Sequence, residues 1–172
     1  MKMFLVRHGT AESLSPGESD ADRLLSPIGQ REVTLVANYL ASTCGRNPHI
    51  WASPLRRARQ TAERIGELTT TDEIKIANLL VPEANPVEFA NWLGELAAAS
   101  DQSIVVVGHQ PALGRAVAGL LGIKDDVLLI EPATIIELSI TNENGQKVLI
   151  AGLLRPDFFG VEMSANPSLK RV

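Results

Sequence analysis

Short unbroken apolar runs alternate along this chain with longer stretches in which apolar residues return every three or four positions. That is the pattern of buried strands interleaved with amphipathic helices. Met3-Phe4-Leu5-Val6 is the first run, and the polar residues 10 to 24, with Pro16 and Gly17, read as a loop after it. Ser26-Pro27 offers a capping hydroxyl and a first-turn proline, and Val33, Val36, Ala37 and Leu40 follow at i, i+3, i+4 and i+7, so a helix with one core face begins there. His49-Ile50-Trp51-Ala52 reads as a second strand, and Ser53-Pro54 as the start of a helix carrying Ala58, Thr61, Ala62 and Ile65 on one stripe. Ile74 to Ala77 is a weaker strand, and Phe89, Trp92, Leu93 and Leu96 mark a third helix after Pro86. Ile104 to Val107 is the most apolar run and is expected at the centre of the sheet. A fourth helix is expected from Pro111 to about Leu121. Thr134 to Ile140 and Lys147 to Leu153 flank Asn142-Glu143-Asn144-Gly145, the expected turn of an antiparallel hairpin.

This order predicts an α/β fold with three layers, helix/sheet/helix, around a mostly parallel sheet that ends in an antiparallel C-terminal hairpin. At 172 residues and 45% hydrophobic composition, the chain is long enough for one core and too short for two ordinary domains. We expect a single domain over residues 1–160 and a tail over 161–172, where periodicity stops and Pro167 and Lys170-Arg171 stand.

A formal charge of -4 argues against nucleic acid as a partner, because such a footprint needs a basic face. The single cysteine, Cys44, rules out an internal disulfide and a thiolate-rich metal site; it reads as a small core hydrophobe at a helix end. Only a handful of apolar residues precede Arg7, too few for a signal peptide, and no run approaches membrane-spanning length. A soluble, cytoplasmic protein with no membrane partner is expected.

The charges that alter this picture stand directly after strands: Arg7-His8-Gly9 after the first, Arg56, Arg57 and Arg59 after the second, and His109 after the central one. Ligands of open α/β sheets bind beyond the carboxyl ends of the strands, so His8 and His109 are expected to face one crevice although a hundred residues separate them. The set suits an anion. Arginine presents a fork of donors matched to phosphate oxygens, and helix N-termini after residues 53 and 110 add backbone amides. A neutral imidazole can serve as nucleophile if its second nitrogen is protonated and tied to an acceptor such as a backbone carbonyl. Three scattered histidines without a cysteine pair give no metal-ligand spacing.

Leu5-Val6-Arg7-His8-Gly9, Leu25-Ser26-Pro27-Ile28-Gly29, the segment Ser53-Pro54-Leu55-Arg56-Arg57-Ala58-Arg59-Gln60-Thr61-Ala62, and Gly108-His109-Gln110-Pro111 together resemble the histidine phosphatase superfamily, which includes the phosphoglycerate mutases. The resemblance covers nearly the whole chain. The short length, Ala11-Glu12 after the first motif and the lack of large insertions look most like the small bacterial phosphohistidine phosphatases of signalling. By position, the resemblance implies that His8 is the phosphorylated nucleophile, that Arg7 and Arg57 are phosphate ligands, and that His109 stabilises the transferring group. Gly9 and Gln110 would line the substrate site. Glu83, in Leu80-Val81-Pro82-Glu83, stands where many members place a proton donor. No metal or organic cofactor is implied. The implied partner is a phosphorylated protein of the histidine phosphotransfer type; a small phosphomonoester substrate and a silent phosphate-binding module are the alternatives.

The other polar residues have plainer readings. Arg56 and Arg59 suit a solvated helix face, with Glu63 one turn from Arg59, and Glu12, Asp20 and Asp22 suit loop solvation. His49 starts a strand at the opposite end of the sheet. Trp51 and Trp92 fit core packing, and Phe158-Phe159 fit a cover for the sheet edge.

Overall fold

The structure, a computed structural model, describes residues 1–123, 128–141 and 147–159. The expected turn over 142–145 and the tail beyond 160 lie outside these residues. Strand β1 (Lys2–Arg7) leads to α1 (Pro27–Thr43), β2 (His49–Ala52), α2 (Arg56–Thr69), β3 (Ile74–Ile76), α3 (Pro86–Ala98), β4 (Ile104–Gly108), α4 (Ala112–Leu120), β5 (Ile135–Thr141) and β6 (Lys147–Leu154). Short 3₁₀ turns lie at Asp20–Asp22, Asn78–Leu80 and Pro156–Phe159. The sheet order is β3-β2-β4-β1-β5-β6. β3, β2, β4 and β1 pair in parallel; β5 runs antiparallel to β1 and to β6.

Strand periodicity divides the core between the two faces of the sheet. Met3, Leu5, Ile104 and Val106 pack with Phe89 and Leu93 of α3 and Leu113 and Val117 of α4. Phe4, Val6, Val105 and Val107 pack on the other face with Val36 and Leu40 of α1 and Ala58, Ala62 and Ile65 of α2. β4 is therefore apolar without interruption because both its faces are covered, and it lies between β2 and β1 as its composition predicts.

The caps explain where the helices begin. Ser26 Oγ accepts from Gly29 N at the start of α1, with Pro27 in the first turn. Asn85 Oδ1 accepts from Val87 N and Glu88 N at the start of α3. α2 departs from expectation: it begins at Arg56, its N-cap is Leu55, and Ser53 stands outside the helix with another partner. Among the described residues no helix is long and apolar enough to cross a membrane.

Two close backbone approaches seat the chain after β1 on α1. A Cβ at Gly29 would lie 2.0 Å from the Thr10 carbonyl oxygen, and one at Gly9 would lie 2.7 Å from Gly29 O and from Val33 Cγ2. Only glycine permits these contacts. Buried Glu32 completes the junction by accepting from Thr10 N at 2.7 Å and Thr10 Oγ1 at 2.9 Å. The loop that follows is closed at its base by a bridge between Ala11 and Leu25.

Because backbone cannot yield as a side-chain tip can, Gly29→Ala is expected to destabilise the protein by about 1–3 kcal/mol or more, the usual overpacking cost. Urea unfolding measures it. An unchanged midpoint would mean that the Thr10 segment moves aside freely.

Candidate active site

The carboxyl ends of β1 and β4 are tied together before any side chain is considered. His8 N donates to Gly108 O at 3.1 Å, Ala133 N donates to His8 O at 3.0 Å, and Arg7 N donates to Thr134 O at 3.1 Å. His8 is thus held from both neighbouring strands, and His109 follows β4 at the same level. Their ring centroids lie 4.7 Å apart, and both side chains are buried. The two histidines expected to meet beyond the carboxyl ends of the strands do so.

His8 Nδ1 lies 2.7 Å from the carbonyl oxygen of Gly9. A carbonyl only accepts, so Nδ1 carries the proton and Nε2 keeps its lone pair. Arg57 Nε donates to that lone pair at 3.2 Å. Burial is the main force on both imidazoles: it pushes the pKa of His8 down to about 3, against the hydrogen bond to Gly9, and that of His109 to about 2, with His8 adding to the effect. Both rings are neutral at neutral pH.

Arg57, 4% exposed, uses both edges of its guanidinium. Nε meets His8, while Nη1 donates to Asp20 O at 2.6 Å and Nη2 to Asp20 Oδ2 at 2.9 Å. Asp20 Oδ1 accepts from Arg23 Nη1 at 2.8 Å, and Arg23 Nε donates to Glu12 O at 2.8 Å. Arg23 foremost, and then Arg57, hold the Asp20 carboxyl below the usual carboxylate range, against the opposing effect of partial burial. Asp20 is therefore no solvating loop residue, as its polar surroundings suggested. It anchors the far edge of the arginine that touches His8, and the i, i+3 spacing of Asp20 and Arg23 was its only trace in the sequence.

Arg7 Nη1 donates to Ile130 O, and its buried Nε has no partner among the described residues. Burial lowers its pKa, with Glu131 opposing the shift. His109 Nε2 lies 2.8 Å from Ser53 Oγ, and its buried Nδ1 has no partner among the described residues. Ser53 was expected to cap α2. The helix starts later, which leaves the hydroxyl for His109. Gly9 contributes backbone: its N–H donates to Thr61 Oγ1 at 3.3 Å, and Thr61 Oγ1 donates to Arg57 O at 2.8 Å.

Two other expected positions make no hydrogen bond to this cluster among the described residues. Glu83 is exposed in the turn after Asn78–Leu80 and makes no hydrogen bond or ion pair among the described residues, so no contact ties its carboxylate to either histidine. Gln110 spends both ends of its amide on the protein, Nε2 donating to Leu128 O and Oε1 accepting from Gly114 N, each at 2.9 Å. Arg56 and Arg59 are exposed, and the expected Arg59–Glu63 pair does not form. His49 bonds Ser100 Oγ at the amino end of the sheet, and Trp51 meets Trp92 edge to face at 5.2 Å. Among the described residues no group of three or more His, Cys, Asp or Glu could hold a metal ion.

What the cluster can do follows from its parts. An unprotonated imidazole nitrogen, two guanidinium groups and a second imidazole lie near enough to act on one another electrostatically, a set of groups that can receive a tetrahedral anion and offer it a nucleophile.

Comparison with known proteins gives the family. The profile of the histidine phosphatase superfamily (branch 1) matches residues 3–80. A phosphohistidine phosphatase SixA homolog of Haemophilus influenzae is 30% identical over 146 residues, covering 80% of this chain and 87% of that protein. Phosphohistidine phosphatase SixA of Escherichia coli is 31% identical over 121 residues, covering 70% of this chain and 74% of its own. In fold, the chain is similar to the protein histidine phosphatase SixA complexed with tungstate, with a TM-score of 0.79 at 24% identity over 92% of this chain and 99% of that one.

The buried neutral histidines carry a consequence for stability. Below pH 6.5 the unfolded chain takes up protons that folded His8 and His109 refuse until about 3 and about 2, so stability falls as pH drops through that window. Chemical denaturation between pH 7.5 and 4 should show a loss of a few kcal/mol, with a shallower slope in His8→Asn. Equal slopes would mean that His8 titrates normally.

Proposed function

Because the chain belongs to the histidine phosphatase superfamily and is a phosphatase, we propose that it dephosphorylates phosphohistidine on a protein partner of the histidine phosphotransfer type, through a phosphohistidine at His8. The observation that carries this reading is the pinned tautomer of His8: Nδ1–H on the Gly9 carbonyl, and an unprotonated Nε2 that accepts from Arg57 Nε.

In the proposed reaction Arg57 Nε–H turns from His8 Nε2 to a phosphoryl oxygen, and the freed Nε2 lone pair attacks phosphorus in line with the leaving group, so a new P–N bond forms as the substrate's P–N bond breaks. The leaving imidazole takes its proton from solvent. Water then attacks the phosphoryl group on His8, phosphate departs, and Nε2 regains its lone pair. Arg57 and Arg7 balance the oxygens' charge, and the Gly9 carbonyl, by holding Nδ1–H, stabilises the positive charge that His8 acquires on attack. Arg57 is positioned for this from behind by Asp20.

The substrate class rests on the leaving group. An alcohol leaves slowly unless an acid protonates it, help typically worth 10²–10⁴-fold. Glu83 makes no hydrogen bond or ion pair with the cluster among the described residues, and Asp20 is kept ionised by Arg23 and Arg57, the wrong state for a donor. Imidazole, on a weaker P–N bond, tolerates the lack of an acid. The two relatives named as phosphohistidine phosphatases, aligned over most of the chain, support the same choice. We place the enzyme in the cytoplasm with its partner.

Hydrolysis of a phosphohistidine-bearing protein beside a phosphomonoester panel, in excess chelator, tests the proposal. Wild type should release phosphate from phosphohistidine, and His8→Ala should lose both turnover and covalent labelling. Activity confined to phosphomonoesters would move the enzyme to small-molecule substrates; binding without any turnover would leave a phosphate-binding module.

Removing a preorganised charge donor costs about 10²–10³ in rate, and Arg57→Ala should fall in that range. Arg56→Ala and Glu83→Gln alter exposed side chains without partners and should change phosphohistidine hydrolysis by less than about threefold. Severe loss in Arg56→Ala would show that the wrong arginine of the pair has been assigned.

A further inference from the structure

We infer that Ser53 fixes the proton of His109 on Nδ1, so that this second histidine meets a bound phosphoryl group as a neutral hydrogen-bond donor. The inference follows from the proton inventory of two buried side chains. Ser53 and His109 are 0% and 1% exposed, so water does not supply missing partners from bulk. Ser53 is held in register by its own N–H, which donates to Val107 O at 3.0 Å. Its hydroxyl has one proton and two lone pairs. Leu55 N donates to one lone pair at 3.3 Å, and His109 Nε2 lies 2.8 Å away.

Two arrangements satisfy that distance. In one, Nε2–H donates to the second lone pair of Oγ. The serine proton then has no acceptor among the described residues, and Nδ1 holds a bare lone pair, which would repel phosphoryl oxygens that approached it. In the other, the serine hydroxyl donates to Nε2. The serine then donates once and accepts once, with one oxygen lone pair spare, and the unpaired donor is a buried Nδ1–H, the atom that has no partner among the described residues. Each arrangement leaves one buried donor unpaired, but the first also leaves the Nδ1 acceptor empty, whereas a spare second lone pair on an oxygen that already accepts costs little. The second is therefore favoured, and an incoming anion removes its unpaired donor.

Neutral donation also resolves an electrostatic difficulty. Arg7 and Arg57 already bring two positive charges, and a third on a buried imidazole would be disfavoured; burial drives the pKa of His109 to about 2. Through Ser53 the ring donates a hydrogen bond without carrying charge. Ser53 is a positioning residue here, acting on phosphate only through His109. Its effect on rate rests on the phosphoryl-transfer reading above, whereas the tautomer does not.

Nitrogen NMR of the full-length protein, labelled at its histidine ring nitrogens, reads the tautomer without any substrate. At pH 7 wild-type His109 should show a protonated Nδ1 and an unprotonated Nε2. Ser53→Ala should shift population to Nε2–H and weaken orthovanadate binding about tenfold, the worth of roughly one hydrogen bond; Ser53→Thr, which keeps the hydroxyl, should restore both. Protonation at Nε2 in wild type, or unweakened vanadate binding in a folded Ser53→Ala, would overturn the inference. Should a variant fail to fold, the wild-type spectrum still decides. A correct tautomer in a protein that hydrolyses nothing would sink the proposed function alone, and active enzyme with Nε2–H would sink this inference alone.

Discussion

The hydrogen bond between His8 Nδ1–H and the Gly9 carbonyl is the constraint on which the site depends. It works only because the backbone of residues 8 and 9 is immobile. Gly108 and Ala133 grip His8 from the adjoining β4 end and β5 approach, and Gly9 is pressed against the first turn of α1 so closely that no side chain fits. A ring tied to a carbonyl that cannot move has a fixed tautomer and a fixed aim. The glycines at 9 and 29 are thus part of the chemistry through geometry alone.

Around that bond the charges are arranged in series. Asp20 holds Arg57, Arg57 faces His8 Nε2, and Arg23 holds Asp20 in turn. A guanidinium fixed at one edge has less orientational freedom to lose when an anion arrives at the other. The loop over residues 10 to 24 is therefore a supporting element of the cluster, closed at its base by the Ala11–Leu25 bridge and joined through Asp20 to the arginine. The two imidazoles stay neutral amid these cations because burial makes their protonated forms expensive.

Much of the fold was legible because strands and helices differ in period. β4 could be placed at the centre from an unbroken apolar run, since only a strand covered on both faces tolerates one. Ser26-Pro27 located the start of α1 through capping chemistry that is local in sequence. Ser53-Pro54 used the same letters and misled: Leu55 is the cap, because the tertiary contact with His109 claims the serine hydroxyl. Asp20 was illegible for a similar reason. Nothing in a polar loop indicates that its tip folds back onto a helix thirty-seven residues away.

The sequence by itself determined the alternation of elements, the sheet-end positions of Arg7, His8, Arg57 and His109, and by resemblance the family. These are properties of short segments, set by period, capping and motif spacing. Only the tertiary structure decided which arginine faces His8, that Asp20 braces it, that Gln110 bonds Leu128 and Gly114, and that Ser53 bonds His109. Those outcomes depend on pairings between residues distant along the chain, settled by the competition of buried donors and acceptors for the few partners that packing brings within reach.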